Sequence, residues 1–548
     1  MASTAIQETV QGLRALRKEP LVVAAVLAVL ALIAVFVVYP VLRVISFPSP
    51  GDFSILVEND RWYKATVNSL FITLLSTVSA TVIGFVFAFT LVRVDTPLRR
   101  IFKFVSLLPI VSPPFIIALS YILLFGRSGL ITKKLLGLNL DMYGWHGVWL
   151  VQTITYFPYA YVIIKGVLQE ISANLEYAGY NLGARHWQVF RDIVLPLATP
   201  GLCGASLVVA IMVLADFGNP LLVGGNFFLL PTEAYMQIIG WYNLNTAAVL
   251  ATALLLPALV FFILQHYWLG KRSYVTITGK ESPLRHMELP RLAQRLLVGF
   301  CAAVSMLIFL VYGVLVVGAF SKVWGYDWSF SLVHLDYVWN RKAEIINSVR
   351  FAFVSSLLTA VFSMVLAYIV QKKQLGFNKV LDFLAILPGA VPGLFLGIGY
   401  LMAFNQQPLQ LTGSGWIIIL ALMFWNIPTG YAAAVAGLQQ ISNSIEEAGA
   451  NLGASTFRTF RDIILPLLIL PFTAGFVVAF LRAVTCLSVV VFLVTPTTVV
   501  GTISILGLVT DGNWSGAAAF TVVLISIAFA VLYSGDYLLG RRGKSLDL

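Results

Sequence analysis

The sequence predicts an all-α membrane protein of twelve transmembrane helices, arranged as two tandem six-helix halves. Three observations carry this. Hydrophobic residues make up 59% of the 548 residues and charged ones only 11%, with a mean hydropathy of +0.90, a make-up outside the range of soluble globular domains. The apolar residues fall in runs near the length of about 20 that a helix needs to cross a bilayer. A polar passage between such runs occurs twice, 270 residues apart: 178–196 reads AGYNLGARHWQVFRDIVLP and 448–466 reads AGANLGASTFRTFRDIILP, identical at 12 of 19 positions.

Taken in order, the first half offers spans at 21–45, 66–92, 101–125, 147–168, 197–223 and 247–269, and the second at 296–320, 347–370, 380–404, 415–438, 467–494 and 516–539. The first run is too long for a signal-peptide core and opens a series of similar runs, so a retained helix is expected. Lys and Arg set the orientation. Arg14, Arg17 and Lys18 precede the first span, Arg93, Arg99, Arg100 and Lys103 bracket the turn after the second, and Arg541, Arg542 and Lys544 follow the last. Both termini are therefore expected in the cytoplasm, as segments 1–20 and 540–548. The linker 270–295 is expected there too, since Lys271, Arg272, Lys280, Arg285, Arg291 and Arg295 outnumber Glu281 and Glu288. This leaves a first half at 21–269 with its hairpin at 169–196, and a second at 296–539 with its hairpin at 439–466. Because the basic residues cluster at the ends of apolar runs, the net charge of +11 speaks for membrane lipid as a partner and against nucleic acid. Cys203, Cys301 and Cys486 sit singly inside apolar runs, without the spacing of a metal site or a disulfide framework.

The duplication extends beyond the hairpins. Asn68 and Ser69 recur as Asn347 and Ser348, and Leu108, Pro109 and Pro113 as Leu387, Pro388 and Pro392, at a spacing of 279; Pro158 and Pro428 return to 270. The change of register falls in the loop between 125 and 147. Two six-span units in the same orientation predict halves related by an axis along the membrane normal, with the solute site at their seam.

Each repeat begins as an amphipathic helical piece, 169–181 or 439–451, reaches Asn-Leu-Gly-Ala, and resumes with an aromatic-rich piece ending in Leu-Pro. Gly183 and Gly453 stand where a helix should end in a left-handed residue. Pro196 and Pro466 stand in the first turn of the next helix, where a missing N–H does no harm. The pattern predicts two short helices at an angle, with Trp187, Phe190, Phe457 and Phe460 as apolar knobs beside Arg191, Asp192, Arg461 and Asp462. An interfacial helix lying on lipid would also be amphipathic and basic. Lipid contact demands a pattern, however, whereas this passage keeps particular residues, which favours docking to a protein.

These residues resemble the EAA motif of permease subunits of ATP-binding-cassette importers. The second copy carries Glu447, Ala448, Gly449, Gly453 and Ala454, with Glu446 before them and Phe460 and a Leu-Pro after. The first carries Ala178, Gly179, Gly183, Ala184 and Phe190, but has Tyr177 at the glutamate position and Glu176 one residue earlier. The resemblance implies a type I importer permease fold in the bacterial inner membrane. Each hairpin would seat in a cleft of one of two copies of a cytoplasmic ATPase, which would bring the ATP and Mg, while a solute-binding protein would deliver solute on the outer side. Nucleotide-driven closure of the ATPases would open the pathway outward, and hydrolysis would reset it. The fused arrangement, and the segment Asp216-Phe217-Gly218-Asn219-Pro220 followed by Leu-Leu-Val-Gly-Gly, look like ferric-iron-type permeases; related permeases for thiamine or aminophosphonates share the plan.

No GxxxxGK[ST] loop, HExxH or GxSxG at a credible site occurs in the sequence, so neither ATP hydrolysis nor other catalysis, nor a cofactor or metal, is expected of this chain itself. Charged groups at membrane depth are functional candidates by default. Asp216 and Arg482 are two such groups, and under the 270 spacing they match Cys486 and Met212. They either serve structure, as an ion pair or as an Asp bound by nearby amides, or line the path of a charged solute, Asp216 favouring a cation and Arg482 an anion or ferric ion with anionic ligands. Tyr121, Tyr156, Tyr400 and Asn426 are further candidates for that path. An ion-coupled secondary transporter would also fit twelve spans, but it predicts intramembrane carboxylates, which are few here, and no repeated polar hairpin.

Overall fold

The structure is a computed structural model describing residues 20–113, 115–139, 141–269, 289–373 and 376–540. The segment 1–19, most of the linker, and 541–548 lie outside the described residues, and with them Arg14, Arg17, Lys18, Lys271, Arg272, Lys280, Glu281, Arg285, Glu288, Arg541, Arg542 and Lys544. Among the described residues nine helices are long and apolar enough to span a membrane, and twelve if each of three bent pairs is one span. The expected all-helical fold with twelve crossings is thus present, with a two-stranded antiparallel ribbon, Ser321–Val323 against Asp327–Phe330, as its one described sheet.

Several of the expected spans are bent or interrupted near prolines, which remove N–H donors from the helix ladder. The third is helical over Arg99–Val111 and again over Ile116–Phe125, interrupted at Ser112 and Pro113. The ninth bends by 103° between Asn378–Gly389 and Gly393–Ala403, the tenth by 45° at Asn426, and the eleventh by 67° at Leu468. The fifth helix ends at Leu214, short of the expected 223, and a separate turn of helix runs Gly218–Val223.

Two short helices, Leu230–Ile239 and Gly501–Thr510, were not among the expected elements. They are held alike. In the first half, Ser69 Oγ accepts from the Leu230 N–H at 2.9 Å and Asn68 Nδ2 donates to the Phe228 carbonyl at 3.1 Å. In the second, Ser348 Oγ accepts from the Gly501 N–H at 2.7 Å and Asn347 Nδ2 donates to the carbonyls of Thr497 and Val499. The duplicated Asn-Ser pairs therefore satisfy donors and acceptors that the start of each short helix leaves open.

Compactness follows a different partition from the chain halves at 21–269 and 296–539. One unit comprises 49–340 with 505–523; the other comprises 1–48, 341–504 and 524–548. In the first unit the seventh span, Arg291–Phe320, packs on the third, where Tyr312 Oη donates to Ser112 Oγ at 2.7 Å. In the second unit the first span, Val22–Ser46, packs on the ninth and tenth: Tyr400 Oη of the ninth donates to the Phe36 carbonyl at 2.8 Å, and Phe36 stacks on Phe424 of the tenth at 5.1 Å. Close approach there requires a glycine, because a Cβ on Gly399 would come within 2.9 Å of the Pro40 carbonyl oxygen.

Candidate functional site

Both hairpins form as their sequences dictate. In the first, Ala173–Asn181 is helical, with Ser172 Oγ accepting from the Asn174 N–H at its start. Its last turn closes through Gly183 at φ +86°. The Gly183 N–H donates to the Tyr180 carbonyl at 2.9 Å and the Ala184 N–H to the Gly179 carbonyl at 3.0 Å, the Schellman arrangement. The second hairpin repeats this over Asn443–Asn451, with Gly453 at φ +80° and the Ala454 N–H on the Gly449 carbonyl at 3.0 Å. The other motif glycine has a different duty. A Cβ on Gly179 would meet Ile193 at 2.9 Å, and one on Gly449 would meet Thr459 Oγ1 at 3.0 Å. Gly179 and Gly449 thus let the two short helices cross closely, whereas Gly183 and Gly453 set backbone direction and have open space around them.

The sides of each hairpin divide sharply. Leu182 and Leu452, at the two tips, are 89% and 88% exposed, and Trp187 and Phe457 are also well exposed. Ala178, Ala448, Tyr177 and Glu447 share the open side, while Ala184 and Ala454 are half-buried. Phe190 and Phe460, expected as docking knobs, turn inward instead. Each opens a π-helical turn, Phe190–Val194 or Phe460–Ile464. The extra residue per turn swings the ring onto the neighbouring span: Phe190 lies 5.5 Å from Phe89, and Phe460 lies 4.7 Å from Tyr368. The tip leucines were missed because one exposed leucine in a polar stretch carries no signal; its repetition within Asn-Leu-Gly-Ala is what could have found it.

Glu176 and Glu446 occupy the same place in the two copies, and neither faces outward freely. Glu176 is buried, with Oε1 2.7 Å from Arg93 Nη2 at the end of the second span. The same nitrogen donates to the carbonyls of Leu168 and Ile171. Burial pushes the Glu176 carboxyl above its ordinary pKa, and Arg93 pulls it part of the way back. Glu446 Oε1 lies 3.5 Å from Lys372 Nζ at the end of the eighth span and Oε2 accepts from Tyr368 Oη at 3.3 Å, while Lys372 donates to the Ile441 carbonyl. The acidic residue common to both copies therefore points into the protein, and Tyr177 and Glu447 take the exposed position after it. Surface pairs such as Arg191 with Asp192, 2.7 Å apart, contribute little by comparison.

Within the membrane-spanning region, Asp216 is buried among amides. Its Oδ2 accepts from Gln152 Nε2 at 3.1 Å and Asn219 Nδ2 at 3.0 Å, and its Oδ1 from the Asn219 N–H at 3.3 Å. Ser76 Oγ donates to Gln152 Oε1, and Tyr156 lies beside the carboxylate. Asp216 and Tyr156 are thus brought together, with Gln152 and Asn219 as members the sequence reading did not single out. Arg482 lies in the other compact unit, half-buried, with Nη1 donating to Thr429 Oγ1 at 2.8 Å and its guanidinium 4.6 Å above the Trp425 ring. The next residue, Asn426, donates to the Leu422 carbonyl at the bend of the tenth span. Tyr400 is spent on the first span, and Tyr121 donates to the Met142 carbonyl at 2.7 Å. Among the described residues no three His, Cys, Asp or Glu side chains gather as a metal site would require. At the end of the fourth span away from its hairpin lies a cleft of about 730 Å³ lined by Arg127, Asp141, Tyr143, His146, Trp324 and Trp514 among others.

The chain matches the family of binding-protein-dependent transport system inner membrane components twice, over 80–273 and 360–543. It is 36% identical over 488 residues to the ferric transport system permease protein FbpB of Actinobacillus pleuropneumoniae, covering 86% of this chain and 71% of that one. It is 35% identical over 447 residues to the putative ferric transport system permease protein FbpB 1 of Haemophilus influenzae, covering 79% and 71%. The putative 2-aminoethylphosphonate transport system permease protein PhnV of Salmonella typhimurium is 26% identical over 256 residues, 46% of this chain but 97% of PhnV. Two family matches, each with its own hairpin, on a frame of membrane-spanning helices leave one conclusion: the chain belongs to the inner-membrane permease family of binding-protein-dependent ATP-binding-cassette importers.

Proposed function

We propose that this chain forms the transmembrane pathway of an importer for ferric iron, with two copies of a separate ATPase seated on its two hairpins. The duplicated hairpin geometry, with open tips at Leu182 and Leu452, supports a symmetric pair of partners. ATP and Mg belong to those partners. A solute-binding protein on the opposite face delivers the cargo, and both termini lie in the cytoplasm with the hairpins. Closure of the ATPases moves the hairpins and opens the pathway outward, and hydrolysis returns it. Similarity to ferric permeases over most of the chain favours iron; the aminophosphonate relative covers under half of it at lower identity.

The coupling role is tested by Gly183→Asp with Gly453→Asp. A Cβ at either position has open space but is strained at φ +86° or +80°, so the substitutions disturb the hairpin turn while the spans should still insert, and transport uncouples from ATP hydrolysis. Unchanged transport refutes the role. The cargo is tested in vesicles containing permease, ATPase and binding protein: uptake of labelled Fe(III), undiminished by excess thiamine or 2-aminoethylphosphonate, is the expected result. Detergent-solubilised permease that never retains an ATPase, with uptake indifferent to ATP, would point to a secondary transporter instead.

A further inference from the structure

We infer that the cation–carboxylate pair at the root of each hairpin, Arg93 with Glu176, which is buried, and Lys372 with Glu446, which is half-buried, is the strut that carries hairpin movement into a span to which the hairpin is not directly joined. This rests on the docking reading above. Each hairpin leads directly out of the fourth or tenth span and into the fifth or eleventh. The pair ties it to the second or eighth span, joined in the second copy by Tyr368 Oη on Glu446. In both copies the cation also donates to carbonyls at the end of the span before the hairpin, Leu168 and Ile171 for Arg93, and Ile441 for Lys372. One positive group thus clamps three elements at one point, where the partial negative charge of a helix C-terminus favours it.

From that clamp the path is a single rigid element. The second span is an unbroken helix, Asp60–Arg93, with Ser69 near its far end holding the start of the helix Leu230–Ile239. The eighth, Lys342–Lys372, is likewise unbroken, with Ser348 holding Gly501. The third, ninth, tenth and eleventh spans break near prolines; these two contain none. A push on either hairpin therefore reaches the far-side short helix of the same half through a clamp, a rod and a serine hydrogen bond. Packing alone does not demand this chemistry, because a buried ion pair is seldom better for stability than apolar side chains of the same volume. The two copies use different cations yet keep the same connections. Arg93, Glu176, Lys372 and Glu446 are positioning residues: they act through the hairpin on the spans and touch neither solute nor nucleotide.

The test is Arg93→Met with Lys372→Met, which keeps side-chain volume and removes both cations, beside the single variant Arg93→Lys, which copies the second half's chemistry into the first. Each is purified with the ATPase and measured in vesicles for ATPase retention, ATP hydrolysis and solute uptake. The expected result is that the double variant retains the ATPase and hydrolyses ATP while uptake per ATP falls at least tenfold, and that Arg93→Lys stays within about twofold of wild type. Uptake per ATP in the double variant within twofold of wild type overturns the inference. So does parallel loss of ATPase retention and uptake, which would make the pair a mere folding contact. A wild-type permease that retains no ATPase refutes the docking reading itself, and this inference with it.

Discussion

The hairpins and the membrane-buried segments that follow them descend from the same internal repeat, yet they have kept different things. In the hairpins the turn glycines, the crossing glycines, the inward phenylalanines, the exposed leucines and the anchored glutamates are reproduced position by position. In the buried segments the Asp216 network has no counterpart. The positions equivalent to Gln152, Asp216 and Asn219 are Leu422, Cys486 and Val489, which are apolar or nearly so and buried. On the proposed docking to two copies of one ATPase, the hairpin surfaces are constrained equally on both sides. A membrane interior is not, and one half can hold a polar network that the other lacks.

The largest expected effect that could break this comparison is at the tips. Leu182→Asp and Leu452→Asp each place a charge where the free chain has only solvent, so folding should be untouched. An interface anchor lost on docking costs about 2 kcal/mol or more, roughly a thirtyfold weakening. ATPase retention should fall in both single variants to a similar extent; a large effect in one alone would show that the hairpins are not equivalent.

The buried segments should respond unequally. Asp216→Asn puts an amide where Gln152 and Asn219 both donate, leaving at least one buried donor unpaired at a cost of about 1–3 kcal/mol. A lowered melting temperature and reduced uptake are expected, while Cys486→Ser should change both much less. Equal responses would undo the claimed asymmetry.

A smaller effect separates the two kinds of glycine. Gly179→Ala and Gly449→Ala overfill a close crossing and should cost about 1–3 kcal/mol of hairpin stability, read as faster amide exchange across the short helices. Smallest of all should be Tyr177→Glu. It gives the first copy the second copy's exposed residue without touching Arg93 or Glu176, and ATPase retention should move by no more than severalfold.

The parts of the molecule legible in the sequence are those governed by local rules. Apolar run length marked the spans, and the left-handed preference of glycine marked Gly183 and Gly453. What escaped depended on distant partners. The 270 spacing already pairs Glu176 with Glu446, but that both turn inward is plain only once Arg93 and Lys372 are seen at the ends of other spans. The short helices Leu230–Ile239 and Gly501–Thr510 fall below the length that marks a crossing. The spans bend near Pro388 and Pro428, whereas the repeat-mate of the latter, Pro158, sits within an unbroken helix, because tertiary packing decides which prolines bend.

The packing of the first span on the ninth bears on how the protein is made. Tyr400 and the Phe36 carbonyl that it binds are 364 residues apart. At a synthesis rate of about 5–20 residues per second, the first helix waits roughly 20–70 s in the bilayer before its partner is translated. Through that interval the insertion machinery or lipid must shelter a helix whose native neighbour does not yet exist. The compact unit containing the amino-terminal helix is thus closed only late in biogenesis.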